Sequence, residues 1–127
     1  TKSAFQPTYS LEDSVEEKVQ KVAKTIYGAS GVEYSSNAKK QLKKIEKLGY
    51  SKFPICIAKT QKSISDNEKL IGRPQDFKIT IREFEFAAGA GFIIPIAGEI
   101  LRMPGLPEVP SAESVDIDGE GKISGLF

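Results

Sequence analysis

The spacing of the apolar residues switches between helical and strand period along this chain, and that limits the fold more than any other feature. Over 11–27 and 36–48 apolar side chains recur with helical spacing; at Val32-Glu33-Tyr34 and from Phe53 onward they run together or alternate. Helical segments alternating with strand segments within one short chain mean helices packed on a sheet, an α/β fold. With 127 residues, 39% of them hydrophobic, the chain has the size of a single domain over 1–127 and can bury roughly two-thirds of its unfolded surface.

The spacing predicts a first helix over 11–27. Val15, Val19, Val22, Ala23 and Ile26 fall on one face, Glu12, Asp13, Glu16 and Glu17 suit the positive end of the helix dipole, and Gly28 supplies a left-handed stop. Val32-Glu33-Tyr34 is a short strand candidate. Ser35 or Ser36 then caps a second helix whose Ala38, Leu42, Ile45 and Leu48 point inward and which Gly49 ends. Its other side carries Lys39, Lys40, Lys43, Lys44 and Lys47, with Glu46 the sole acid among them. No aromatic residues interleave these lysines as stacking on a nucleic-acid strand requires, so they read as a solvated face.

Residues 53–58 form a continuous apolar run, which suits a strand buried on both faces. Helix, strand, helix, strand gives a crossover layout. The expected architecture is a mostly parallel sheet flanked by the two helices, three-layer-like, with a C-terminal hairpin. In such sheets ligands bind beyond the carboxyl ends of strands, which makes Lys59, Thr60 and Gln61 candidates for a site. The polar stretch 61–76 reads as a surface loop long enough to cover it. Phe77, Ile79 and Ile81 then alternate with Lys78, Thr80 and Arg82, and the parity slips at Glu83 before Phe84 and Phe86, which predicts a bulge or a strand end. A further strand is expected over 92–96.

Glycine and proline punctuate the run 87–107, AAGAGFIIPIAGEILRMPGLP, on both sides of that last strand. Gly89 and Gly91 lack a Cβ, so the main chain there can take positive φ or lie against a flat ligand. Pro104-Gly105-Leu106-Pro107 makes a stiff turn that aims Leu106.

Several chemistries are excluded. Eighteen basic residues against 17 acidic ones leave a net charge of +1, too little to gather nucleic acid or an anionic membrane surface. No apolar run is long enough for a membrane helix and the N-terminus has no signal-peptide pattern, so a cytoplasmic setting is expected. Cys56 is the only cysteine, flanked by Ile55 and Ile57, and reads as a buried strand thiol. With no histidine, the usual general base and the commonest transition-metal ligand are both missing. Gly89-Ala90-Gly91 lacks the third glycine and the helix of a dinucleotide fingerprint. Asp116-Ile-Asp118-Gly-Glu120 opens like a calcium loop but has Phe127 where a bidentate glutamate belongs, so a hairpin turning at 119–121 between Val115/Ile117 and Ile123 is expected. Gly121-Lys122 is the only Gly-Lys pair and is no phosphate loop. No residue presents itself as catalytic or as a metal ligand.

Taken with Phe53-Pro-Ile-Cys-Ile-Ala-Lys-Thr-Gln61 and the terminal Gly125-Leu126-Phe127, the run 87–107 resembles the C-terminal region of formate-tetrahydrofolate ligases. The resemblance extends from Ala23-Lys-Thr-Ile-Tyr-Gly28 to the last residue, with blocks in the same order and spacing. It implies ATP-dependent ligation in which formate is phosphorylated to formyl phosphate and its formyl group passes to tetrahydrofolate. ATP with magnesium and tetrahydrofolate would serve the full-length enzyme, with nothing bound covalently. The remainder of the ligase chain would be the partner, in a homo-oligomer when full length. On this reading the chain is a C-terminal fragment, inactive alone. It would wall the nucleotide or folate site with Lys59, Thr60, Gln61, Gly89, Ala90, Gly91, Phe92, Arg102, Pro104, Gly105, Leu106 and Pro107. Two alternatives stay open: a stand-alone module binding a nucleotide or pterin through the same loops, and a subunit-interaction domain.

Overall fold

In the computed structural model, which describes residues 4–100 and 108–125, the first helix begins at Ser14. The Ser14 hydroxyl accepts from the Glu17 amide at 3.2 Å while the Glu17 carboxylate accepts from the Ser14 amide at 2.9 Å. This reciprocal cap satisfies two donors that a helix start leaves unpaired. Helix α1 (Val15–Thr25) buries Val15, Lys18, Val19 and Ala23, and Gly28 follows it at φ 71°. Ile26, expected on the buried stripe, is exposed, because as the C-cap it lies beyond the last turn that faces the sheet.

Strand β1 (Gly31–Tyr34) leads to helix α2 (Ser36–Lys47), capped by Ser35, whose hydroxyl accepts from the Ala38 amide at 3.0 Å. Ala38, Leu42 and Ile45 are buried and the five lysines are exposed, as the sequence predicts. Leu48 departs from the pattern: it is the C-cap and stands exposed before Gly49 turns the chain at φ 75°.

Strands β2 (Lys78–Ala87) and β3 (Phe92–Ala97) complete a sheet ordered β1-β2-β3. The parity slip is a register shift between Ile81 and Glu83. β1 and β2 are parallel, β2 and β3 antiparallel, so the sheet is mixed and the expectation of a mostly parallel one is corrected. The reason is the short link between β2 and β3, since a tight turn joins only antiparallel neighbours.

The run 53–58 adds to the free edge of β3 through parallel bridges, Ile55 to Ile93 and Ala58 to Ile96. The Cys56 and Ala58 amides donate to the carbonyls of Ile93 and Pro95, both at 2.9 Å. Phe53, Ile55 and Ile57 pack against the core, while Pro54 and Cys56 are exposed. A strand buried on both faces is therefore not what forms. Cys56 sits on the uncovered side of an edge.

Both helices contribute to one core with Ile79, Ile81 and Phe84 of β2 and Ile93 and Ala97 of β3. Lys78, Thr80 and Arg82 point the other way and are exposed. The described elements thus make two layers, and the three-layer arrangement is not found among them. Lys18 is the charged member of the core: its ammonium donates to the carbonyls of Ser51 at 2.5 Å and Phe53 at 3.1 Å, fastening α1 to the segment that enters the sheet edge. Burial pushes its pKa below the ordinary lysine value.

The expected C-terminal hairpin forms from β4 (Asp116–Ile117) and β5 (Ile123–Ser124), with Ile117 opposite Ile123. Asp118 accepts from the amides of Glu120 at 3.0 Å and Lys122 at 2.9 Å, so its carboxylate shapes the turn.

Candidate ligand cleft at the exit of the sheet edge

Beyond Ala58 the chain leaves the sheet and folds back as the loop 61–76. Lys59 directs its ammonium inward, donating to the carbonyls of Thr60 at 2.9 Å and of Ser63, 5.3 Å from the centre of the Tyr27 ring. Burial lowers its pKa, and the Asp66 carboxylate opposes that shift. Ser63 and Ser65 are buried and bonded to each other at 2.9 Å; Ser63 also donates to the Leu70 carbonyl at 2.5 Å. These hydroxyls substitute for the secondary structure that the loop lacks.

Two contacts tie the loop to the sheet. The Asp66 carboxylate accepts from the Thr80 amide at 2.7 Å. Gly98, at φ 67°, lets the Asp66 backbone approach so closely that a Cβ would lie 2.5 Å from its carbonyl oxygen. Arg82 donates to the Gly98 carbonyl at 3.1 Å.

Between loop and sheet lies a cleft of about 830 Å³, lined by Thr60, Gln61, Lys62, Asp66, Asn67, Glu68, Lys69, Arg82, Gly98, Glu99 and Ile100. Its size suits a nucleotide or a pterin. Lys62 pairs with Glu68 at 2.9 Å, and that bond holds the Glu68 carboxyl below its ordinary pKa. Lys69 and Arg82 add positive charge to a wall that otherwise offers amides, hydroxyls and carboxylates. A hollow of about 300 Å³ adjoins it, lined by Tyr27, Lys59, Thr60, Gln61, Lys62, Ser63, Ile64 and Gly72. Among the described residues no group of three or more Asp, Glu or Cys could hold a metal ion.

Of the residues singled out from sequence, Lys59, Thr60 and Gln61 come together here. Gly89, Ala90, Gly91 and Phe92 occupy the β2–β3 turn at the opposite end of β3, about 17 Å away at the usual rise per strand residue. Gly91 has φ 73°, yet a Cβ would meet nothing within 4 Å there or at Gly89. The turn itself demands glycine at 91 for its backbone conformation. Arg102, Pro104, Gly105, Leu106 and Pro107 lie outside the described residues. Sequence reasoning missed Asp66, Lys69, Arg82 and Gly98. The one signal for Gly98 was its place just after an apolar strand, where glycine often marks a close approach of backbone.

A sequence profile described as "Formate--tetrahydrofolate ligase" matches residues 1–127. The chain belongs to the formate-tetrahydrofolate ligase family. It is similar to the formate-tetrahydrofolate ligase of Petrotoga mobilis (strain DSM 10674 / SJ95), with 54% identity over 124 residues covering 98% of this chain. It spans 22% of the length of that curated relative. Membership of the formate-tetrahydrofolate ligase family therefore rests on the whole chain, including the stretch before residue 23. No helix among the described residues is long and apolar enough to cross a membrane.

Proposed function

We propose that this chain is the C-terminal part of an ATP-dependent ligase that joins formate to tetrahydrofolate through formyl phosphate, giving 10-formyltetrahydrofolate. On this reading it forms one domain of a cytoplasmic, homo-oligomeric enzyme. The observation that supports it is the family profile match along residues 1–127, together with 54% identity over 124 residues to a ligase of which the match covers 22%.

Phosphoryl transfer needs a phosphate cradle and cations in line with the transferred group. The only Gly-Lys pair, Gly121-Lys122, has neither the preceding glycine nor the following hydroxyl of such a cradle. The chain alone is accordingly inactive, and its role is to wall a substrate. Thr60 and Gln61 supply polar contacts along the cleft, Lys69 and Arg82 favour an anionic group, and Lys59 positions the loop from beneath. Both nucleotide and folate are anionic, so the cleft serves one of these two. Gly89, Ala90, Gly91 and Phe92 are read as a turn, because they lie at the far end of β3 from this cleft.

A chimera tests this: residues 1–127 replace the matching part of the Petrotoga mobilis ligase. The chimera is expected to form 10-formyltetrahydrofolate from formate, ATP and tetrahydrofolate, and the isolated chain is expected to form none. Turnover that follows the isolated chain through purification would overturn the proposal.

A further inference from the structure

The β4–β5 hairpin is too small to be stable by itself, yet its backbone is closely specified. Each strand has two residues, and the apolar pair facing across them, Ile117 and Ile123, is 61% and 54% exposed. Val109, at 66% exposure, adds to the uncovered apolar surface. A lone two-stranded hairpin is marginal in water and needs its apolar face covered. Against that, Asp118 fixes the turn, and Gly125 closes the base at φ 76°, where any Cβ would run into the Ser114 carbonyl. Two directly opposed residues share a face of the ladder, so Ile117 and Ile123 are presented together in a set direction.

Charge describes what would cover them. Residues 108–125 hold five carboxylates and one lysine, while the chain as a whole is +1. The complementary surface is an apolar hollow with a basic rim. We propose that this hairpin docks the chain onto the remainder of the ligase polypeptide, with Ile117 and Ile123 in such a hollow. The inference rests on the reading of the chain as part of a ligase. Its occupant follows from length: the chain spans 22% of its relative, so most of a ligase lies outside it and has to pack against it.

The test uses the chimera with Ile117→Cys or Glu120→Cys, each labelled by a thiol reagent and read peptide by peptide in a mass spectrometer. In the chimera the Ile117→Cys thiol is expected to label at least about tenfold more slowly than the Glu120→Cys thiol. In the isolated chain the two are expected to label alike. Adding Ile123→Lys to Ile117→Cys is expected to restore fast labelling in the chimera, and protection that survives it would overturn the proposal. Equal labelling of the two thiols in a chimera that makes 10-formyltetrahydrofolate overturns the docking proposal and leaves the ligase reading standing. Equal labelling in a folded chimera that makes none overturns both. Protection in the isolated chain that grows with protein concentration assigns the face to a second copy and likewise overturns the proposal.

Discussion

The backbone of Asp66 lies against Gly98 so closely that any side chain at Gly98 would meet the Asp66 carbonyl at 2.5 Å. Asp66 and Gly98 both line the cleft, and their contact joins a loop without regular structure to the residue that leaves β3. Gly98→Ala therefore meets both a left-handed backbone and a clash with main chain, and an expected loss of about 2 to 4 kcal/mol follows. Gly91→Ala meets only the backbone term and should lose about 1 kcal/mol. Urea denaturation of both variants checks the order; equal losses would mean that the loop gives way at Asp66.

Cys56 is exposed at the sheet edge, on the side away from the core. In the isolated chain its thiol is expected to react with a thiol reagent at comparable rates in native buffer and in denaturant, and Cys56→Ser should change stability by no more than about 0.5 kcal/mol. A strongly protected native thiol would return residues 53–58 to a strand covered on both faces.

Lys18 joins α1 to the carbonyls of Ser51 and Phe53 from within the core. Lys18→Met keeps the bulk and removes the donor, at an expected cost of about 1 to 3 kcal/mol near neutral pH. The folded-state pKa is lowered, so in the alkaline window below the ordinary lysine value the unfolded chain binds the extra proton. Stability of the parent should therefore rise relative to Lys18→Met as pH climbs through that window. Parallel pH profiles would contradict the assignment.

Hydrogen bonds from the Ser14 amide and hydroxyl to the Glu17 carboxylate hold its pKa below the ordinary glutamate value. A depressed carboxyl stabilises the fold above its unfolded pKa, and that contribution is lost as pH falls through the folded one. Between about pH 5 and pH 3 the parent should lose more stability than Glu17→Gln, which keeps an acceptor but does not titrate. Thermal melts of the two chains across that range measure the difference.

Much of this was legible in the sequence where the deciding interaction is local. Helical spacing and Ser35 defined α2, the parity slip at Glu83 gave the bulge, and Asp118 with the glycines around it gave the hairpin. The sidedness of 53–58 was not legible, because an unbroken apolar run suits either one covered face or two. Lys18 was hidden because a lysine within an apolar stripe reads as surface until its carbonyl partners, more than thirty residues away, are known. Thr60 and Gln61 could be found from their place at the end of an apolar run. Asp66 and Gly98 could not, since their contact joins two loops 32 positions apart.

On the proposed reading the cleft beside Gln61 walls a ligase substrate and the β2–β3 turn does not. In the chimera, KM for ATP and KM for tetrahydrofolate are measured separately for Gln61→Ala and Gly91→Ala, corrected for folded fraction. Gln61→Ala is expected to raise one of the two constants about tenfold, equivalent to about 1.4 kcal/mol of binding, while Gly91→Ala leaves both unchanged. A raised KM for Gly91→Ala with neither constant altered by Gln61→Ala would contradict the account.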